Sequence, residues 1–111
     1  MESNAKIVMS EMLQACRNIS AATAGHSIPE AFGYDRDLLE NVYYNLYFLV
    51  ESGVRIGEAQ KDFPAINWDE IGACADVLAK NMEQVDKRVI MNLIQCKIPS
   101  LSSKLEVILA G

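Results

Sequence analysis

Leu38-Leu39-Glu40-Asn41-Val42-Tyr43-Tyr44-Asn45-Leu46-Tyr47-Phe48-Leu49-Val50-Glu51-Ser52-Gly53-Val54-Arg55-Ile56 is the longest stretch of this chain that holds one period. Leu38, Leu39, Val42, Leu46, Leu49, Val50, Val54 and Ile56 return mostly at three- and four-residue steps. On a helix of about 3.6 residues per turn, such steps gather side chains on one broad face. The spacing predicts a helix over about residues 35–60. Tyr43, Tyr44, Tyr47 and Phe48 crowd its middle. Gly53 and Gly57 fall inside the pattern and weaken it locally, although a helical glycine also lets a second helix come close.

Downstream, Asp62-Phe63-Pro64-Ala65-Ile66-Asn67-Trp68 reads as a linker. Pro64 breaks the long helix, and Asn67 is suited to cap the next one. That third helix is predicted over about residues 68–82, with Ile71, Cys74, Val77 and Leu78 on one face. Asp86 starts a fourth, carrying Val89, Ile90, Leu93 and Ile94. Ile98 is a poor cap, so Pro99 in a first helical turn marks a fifth helix, which holds Leu101, Leu105, Ile108 and Leu109. Upstream, Val8, Met9, Met12, Leu13, Cys16 and Ile19 predict a helix over about residues 4–24, with Asn4 as its cap and Gly25 as its stop. Between these helices, Ser27 and Pro29 suit a cap and a short helical turn, with Phe32 tucked into the core. No segment alternates long enough to make a strand. The expected architecture is all-α, an up-and-down bundle of four to five helices in one domain spanning residues 1–111.

The chain has 111 residues, half of them apolar, and a formal net charge of −5. Its ten basic residues are scattered, and the densest pair is Lys87-Arg88. That disfavours nucleic-acid binding by bulk electrostatics, which needs clustered cations. Three cysteines, Cys16, Cys74 and Cys96, form no Cys-x-x-Cys pair, and the single histidine, His26, is distant in sequence. Reduced thiols, no metal and no cofactor are therefore expected. The residues Met1-Glu2-Ser3-Asn4 lack the basic and apolar runs of a secretory leader, and no apolar stretch reaches the length of a membrane span. A cytoplasmic protein is expected. A domain this small buries a modest core, so pairing with a second copy is a natural source of further stability.

The linker and third helix, Phe63-Pro64-Ala65-Ile66-Asn67-Trp68-Asp69-Glu70-Ile71, resemble the Pro-led approach to the catalytic helix in the HEPN family, in its HepT-like branch. The family's Ile and Trp spacing differs here by the intervening Asn67. Asn45-Leu46-Tyr47-Phe48-Leu49-Val50-Glu51-Ser52 resembles the family's Asn-Leu-x-x-Ile-Gly-Glu-Ala segment. Glu11 to Ile19 with Thr23-Ala24-Gly25, then Val85-Asp86 and Ile98-Pro99-Ser100-Leu101, are similar to its first, fourth and fifth helices. The resemblance implies a homodimer formed through the third helix and its neighbours. It also implies a shared cleft in which an Arg, a His and a Tyr cut RNA without metal, and a small nucleotidyltransferase antitoxin that silences the toxin by adenylylating the Tyr. Carried over residue by residue, the Arg position is Ala75, the His position Lys80 and the Tyr position Met82. Asp76 stands where the family often has Asn or Asp, and Glu51 matches a Glu that faces the cleft.

Metal-independent RNA cleavage needs a base for the 2′-hydroxyl, an acid for the leaving oxygen and positive charge on the phosphate. Histidine serves because its pKa lies near 6.5, whereas lysine near 10.4 stays protonated and is a poor base. Ala75 removes the guanidinium that grips a phosphate bidentately. Losing one such stabiliser commonly slows a reaction by about 10²–10³. Met82 has no oxygen to adenylylate.

Lys80 can hold a phosphate as a point charge, but a solvated helix residue is the favoured reading. Glu51 is equally suited to pair with a basic residue on a neighbouring helix, Lys80 included. His26 reads as a turn residue without a catalytic partner. Cys74 reads as a small buried hydrophobe. The aromatic group of the long helix reads as core or dimer interface before it reads as a stacking platform for bases. The leading expectation is a catalytically degenerate homodimer acting as a binding or regulatory module beside a nucleotidyltransferase partner. Two alternatives stay open. One is an active ribonuclease in which Lys80 and Arg55 or Arg88 stand in. The other is a nucleotide-binding module.

Overall fold

The computed structural model describes residues 4–25, 35–79, 84 and 86–111. In chain order these form α1 (Asn4–Thr23), α2 (Arg36–Ile56), a 3-10 turn (Gly57–Asp62), α3 (Trp68–Leu78), α4 (Lys87–Asn92), a π turn (Leu93–Lys97) and α5 (Ile98–Ala110). No strand occurs among the described residues, and the protein is an all-α helical bundle. Ser27, Pro29 and Phe32 lie outside the described residues.

Three helices begin where a short polar side chain takes up the first free N–H groups, as helix starts require. Asp35 accepts from the Leu38 N–H at 3.0 Å ahead of α2. Asn67 accepts from the Glu70 N–H at 3.1 Å ahead of α3. Asp86 accepts from the Arg88 and Val89 N–H groups at 3.0 and 3.4 Å ahead of α4. The linker before α3 is pinned by the Trp68 indole, whose Nε1 donates to the Phe63 carbonyl at 3.0 Å.

Three boundaries differ from the sequence reading: α3 ends at Leu78 rather than near residue 82, and the other two have a local cause. The long helix stops at Ile56 rather than near residue 60, because Gly57 takes a φ of +57° that only glycine adopts readily. The Gly57 N–H and the Gln60 side chain both donate to the Gly53 carbonyl, the latter at 2.8 Å, and so close the helix end. At Pro99 the chain does not break. Proline lacks an N–H and clashes with the carbonyl four residues back, and the π turn just ahead of it widens the helix enough to absorb both effects. The Ile98 N–H reaches the Leu93 carbonyl, five residues back, and α4 runs into α5 without a loop.

The core is built mainly from α1 and α2, with side chains from α3, α4, the π turn and α5 closing it. Met9, Met12, Cys16 and Ile19 of α1 are fully buried, as are Val42 of α2, Ile90 of α4 and Leu105 of α5. Full burial of side chains of this size stabilises by about 2 kcal/mol each before entropy is counted. α1 packs along both α2 and α5, whereas α3 packs chiefly on α2. A polar strip also joins the first two helices: Asn18 Nδ2 donates to Asn45 Oδ1 at 3.3 Å, and Asn45 Nδ2 donates to the Asn41 carbonyl at 2.7 Å. α3 thus rides on the outside of the bundle, and this placement creates the grooves on either side of it.

Candidate functional site

α3 is fixed to α2 by few but specific contacts. Ile71 and Leu78 are its only buried residues. Gly53 of α2 faces Ile71, and a Cβ there would sit 3.5 Å from the Ile71 Cγ2, an ordinary contact. The Tyr43 hydroxyl donates to the Leu78 carbonyl at 2.9 Å and satisfies one of the free acceptors at the end of α3. With those points anchored, Gly72, Ala73, Ala75, Asp76 and Ala79 face outward and are exposed.

Between the outer faces of α2 and α3 lies a groove of about 430 Å³ whose lining includes Tyr47, Glu51, Val54 and Arg55 from α2 and Ala75 and Leu78 from α3. Two of the expected site residues, Ala75 and Glu51, therefore meet here. Asp76 follows Ala75 on α3 and is exposed, but it does not line the groove. Lys80 and Met82 lie outside the described residues. The groove carries one acid and one base from α2. Glu51 makes no ion pair among the described residues, while the Arg55 guanidinium lies 3.7 Å from Glu11 of α1. Arg88, the other arginine considered as a stand-in, is on α4 and does not line this groove.

The aromatic group of α2 divides. Tyr43 and Phe48 are half-buried against the core, whereas Tyr44 and Tyr47 are 61% and 46% exposed. Tyr43 and Tyr47 stack with ring centres 6.5 Å apart. Val54, which the periodicity placed on the apolar face, is 76% exposed and points into the outer groove. Cys74 is half-buried rather than buried, and its Sγ donates to the Glu70 carbonyl at 3.4 Å. Partial burial, with the Glu70 charge adding to it, pushes the Cys74 thiol above its usual range.

A second groove, of about 230 Å³, opens on the other side of α3, toward the π turn and α5. Cys74 lines it, together with Lys97, Lys104 and Glu70 at its polar edge. The sequence reading did not find it, because its walls come from segments far apart in the chain. Among the described residues no cluster of three or more His, Cys, Asp or Glu could hold a metal, and no helix is long and apolar enough to cross a membrane.

The family model of ribonuclease HepT-like proteins matches residues 12–108, from the middle of α1 to the last turn of α5. Neither a search of curated proteins nor one of solved structures gives a match. The matched span reaches into every described helix and takes in the whole of the α2–α3 pair that carries Glu51 and Ala75, and the chain belongs to the HepT-like ribonuclease family.

Proposed function

We propose that this chain is a catalytically degenerate HepT-like protein. It pairs with a second copy through α2 and α3 and acts in the cytoplasm as a binding or regulatory module of a toxin–antitoxin system, beside a nucleotidyltransferase partner. The observation that supports the reading is the outer groove, which Ala75, the residue that the family resemblance aligns with the phosphate-gripping arginine, lines with only a methyl group. The cation nearest to hand among the described residues, Arg55, is drawn toward Glu11 and shares the groove with Glu51. A carboxylate beside the only local guanidinium opposes an incoming phosphodiester, so the arrangement is poor at stabilising charge on phosphorus. Pairing is supported by the apolar character of α3, which buries only Ile71 and Leu78 and leaves small residues facing out beside the exposed Tyr47 and Val54. Two copies meeting on this face cover apolar area that one copy leaves in water.

The presence of Arg55 in the groove favours one second reading, a slow ribonuclease with a relocated guanidinium. The two readings separate in a single assay. Purified protein is incubated with a mixed-sequence RNA without metal, alongside the Arg55→Ala and Lys80→Ala variants. The expected result is no cleavage by any of the three. Cleavage by the unaltered chain that either variant abolishes would establish the second reading and overturn the first.

A further inference from the structure

We infer that the inner groove, between α3 and α5, is a binding site for a small amphiphilic anion, a short acyl chain ending in a carboxylate. Its floor is apolar, with Leu46 and Leu49 from α2, Val77 from α3 and Leu101 from α5. The titratable groups that line it are Glu70, Cys74, Lys97 and Lys104. Lys97 is engaged, its Nζ lying 2.7 Å from Glu70 Oε1. Lys104 has no ion pair among the described residues. Two lysines against one glutamate leave the mouth with an excess of one positive charge, on a chain whose formal net charge is −5. An apolar slot with a single uncompensated cation at its mouth complements one negative head on an apolar tail. A volume of about 230 Å³ lies below the 300–1,000 Å³ or so of pockets that take drug-sized ligands, which restricts the tail to a short chain.

The π turn shapes this slot. Leu93 and Ile98, five residues apart, would lie about 140° from one another around a regular α-helix. The wide turn brings both to the groove wall, and Lys97 with them. π turns inside helices occur frequently at functional sites, and this one stands where Pro99 would otherwise force a kink. The site lies on the opposite side of α3 from the outer groove and stands whether or not the proposed pairing holds.

Cys74 lines the wall and reports occupancy. In a Cys96→Ser background the exposed thiol is gone, and Cys16 is fully buried, so iodoacetamide at mildly alkaline pH reads Cys74. Millimolar sodium octanoate is expected to slow alkylation at least fivefold, and octylammonium at the same concentration to leave it within twofold of the free rate. Lys104→Glu, at an exposed position, is expected to reverse that preference. No protection by octanoate, equal protection by octanoate and octylammonium, or an unchanged preference in Lys104→Glu would each overturn the assignment.

Discussion

Two side chains in the core carry opposite kinds of imperfection. Ser52 is fully buried in α2, and its Oγ has no hydrogen-bond partner among the described residues. An unsatisfied buried hydroxyl costs about 1–3 kcal/mol, and alanine is also the better helix former. Ser52→Ala is therefore expected to stabilise by about 1 kcal/mol and to raise the thermal midpoint by about 4 °C; a lower midpoint would show that the hydroxyl has a partner. Cys16 is satisfied only while neutral. Burial pushes its thiol up from 9.0 to about 12. Between those values the unfolded chain releases the proton and the folded chain keeps it, so folding stability is intact below pH 9 and falls as the pH rises. The urea midpoint should drop between pH 8 and pH 11, and Cys16→Ala, though less stable at neutrality, should show a shallower decline. Parallel declines in the two proteins would remove Cys16 as the cause. Lys97, raised mainly by its hydrogen bond to Glu70, adds to the loss once the pH passes 10.5.

At the scale of the helix, two glycines of similar appearance do different work. Gly57 ends α2 at a φ of +57°, where an L side chain is strained, whereas Gly53 is helical and faces Ile71 at an ordinary contact distance. Gly57→Ala is expected to destabilise by about 1 kcal/mol or more, and Gly53→Ala to be neutral or stabilising by up to about 1 kcal/mol; equal losses in denaturant midpoint would contradict the distinction. The sequence showed both as interruptions of one period, because an apolar pattern that continues to Ile56 says nothing about φ. The starts of helices were legible at Asn67 and Asp86, since a cap is a local event between neighbours. Pro99 was legible as an irregularity, but the shift from i→i+4 to i→i+5 bonding is a matter of backbone register and leaves no residue signature. Of the candidate site, family resemblance singled out Ala75 and Glu51 one by one, and that both line one groove is a matter of how α2 and α3 pack. Nothing in the sequence singled out the inner groove, because its depth depends on how α3 sits between α2 and α5.

For the molecule as a whole, the outward turn of Val54 is the informative departure. Periodicity marks a residue as apolar-faced without saying what covers that face, and a surface reserved for a second copy reads the same as a core. In the proposed dimer the interface is isologous, so each substitution acts twice near the symmetry axis. Val54→Glu would set two new carboxylates beside two copies of Glu51, in a contact that relies on apolar burial. At 76% exposed, Val54 supports nothing within its own chain, so the fold should survive the change. Val107, on α5 and 74% exposed, is the matched control. Light scattering at micromolar concentration should give twice the chain mass for the unaltered protein and for Val107→Glu, and a single chain mass for Val54→Glu. Pairing also links stability to concentration. The thermal midpoint should rise with protein concentration in the first two proteins and stay level in the third. A Val54→Glu protein that keeps the doubled mass would move the interface away from α2 and α3, and with it the argument that the outer groove lies at the centre of the assembly.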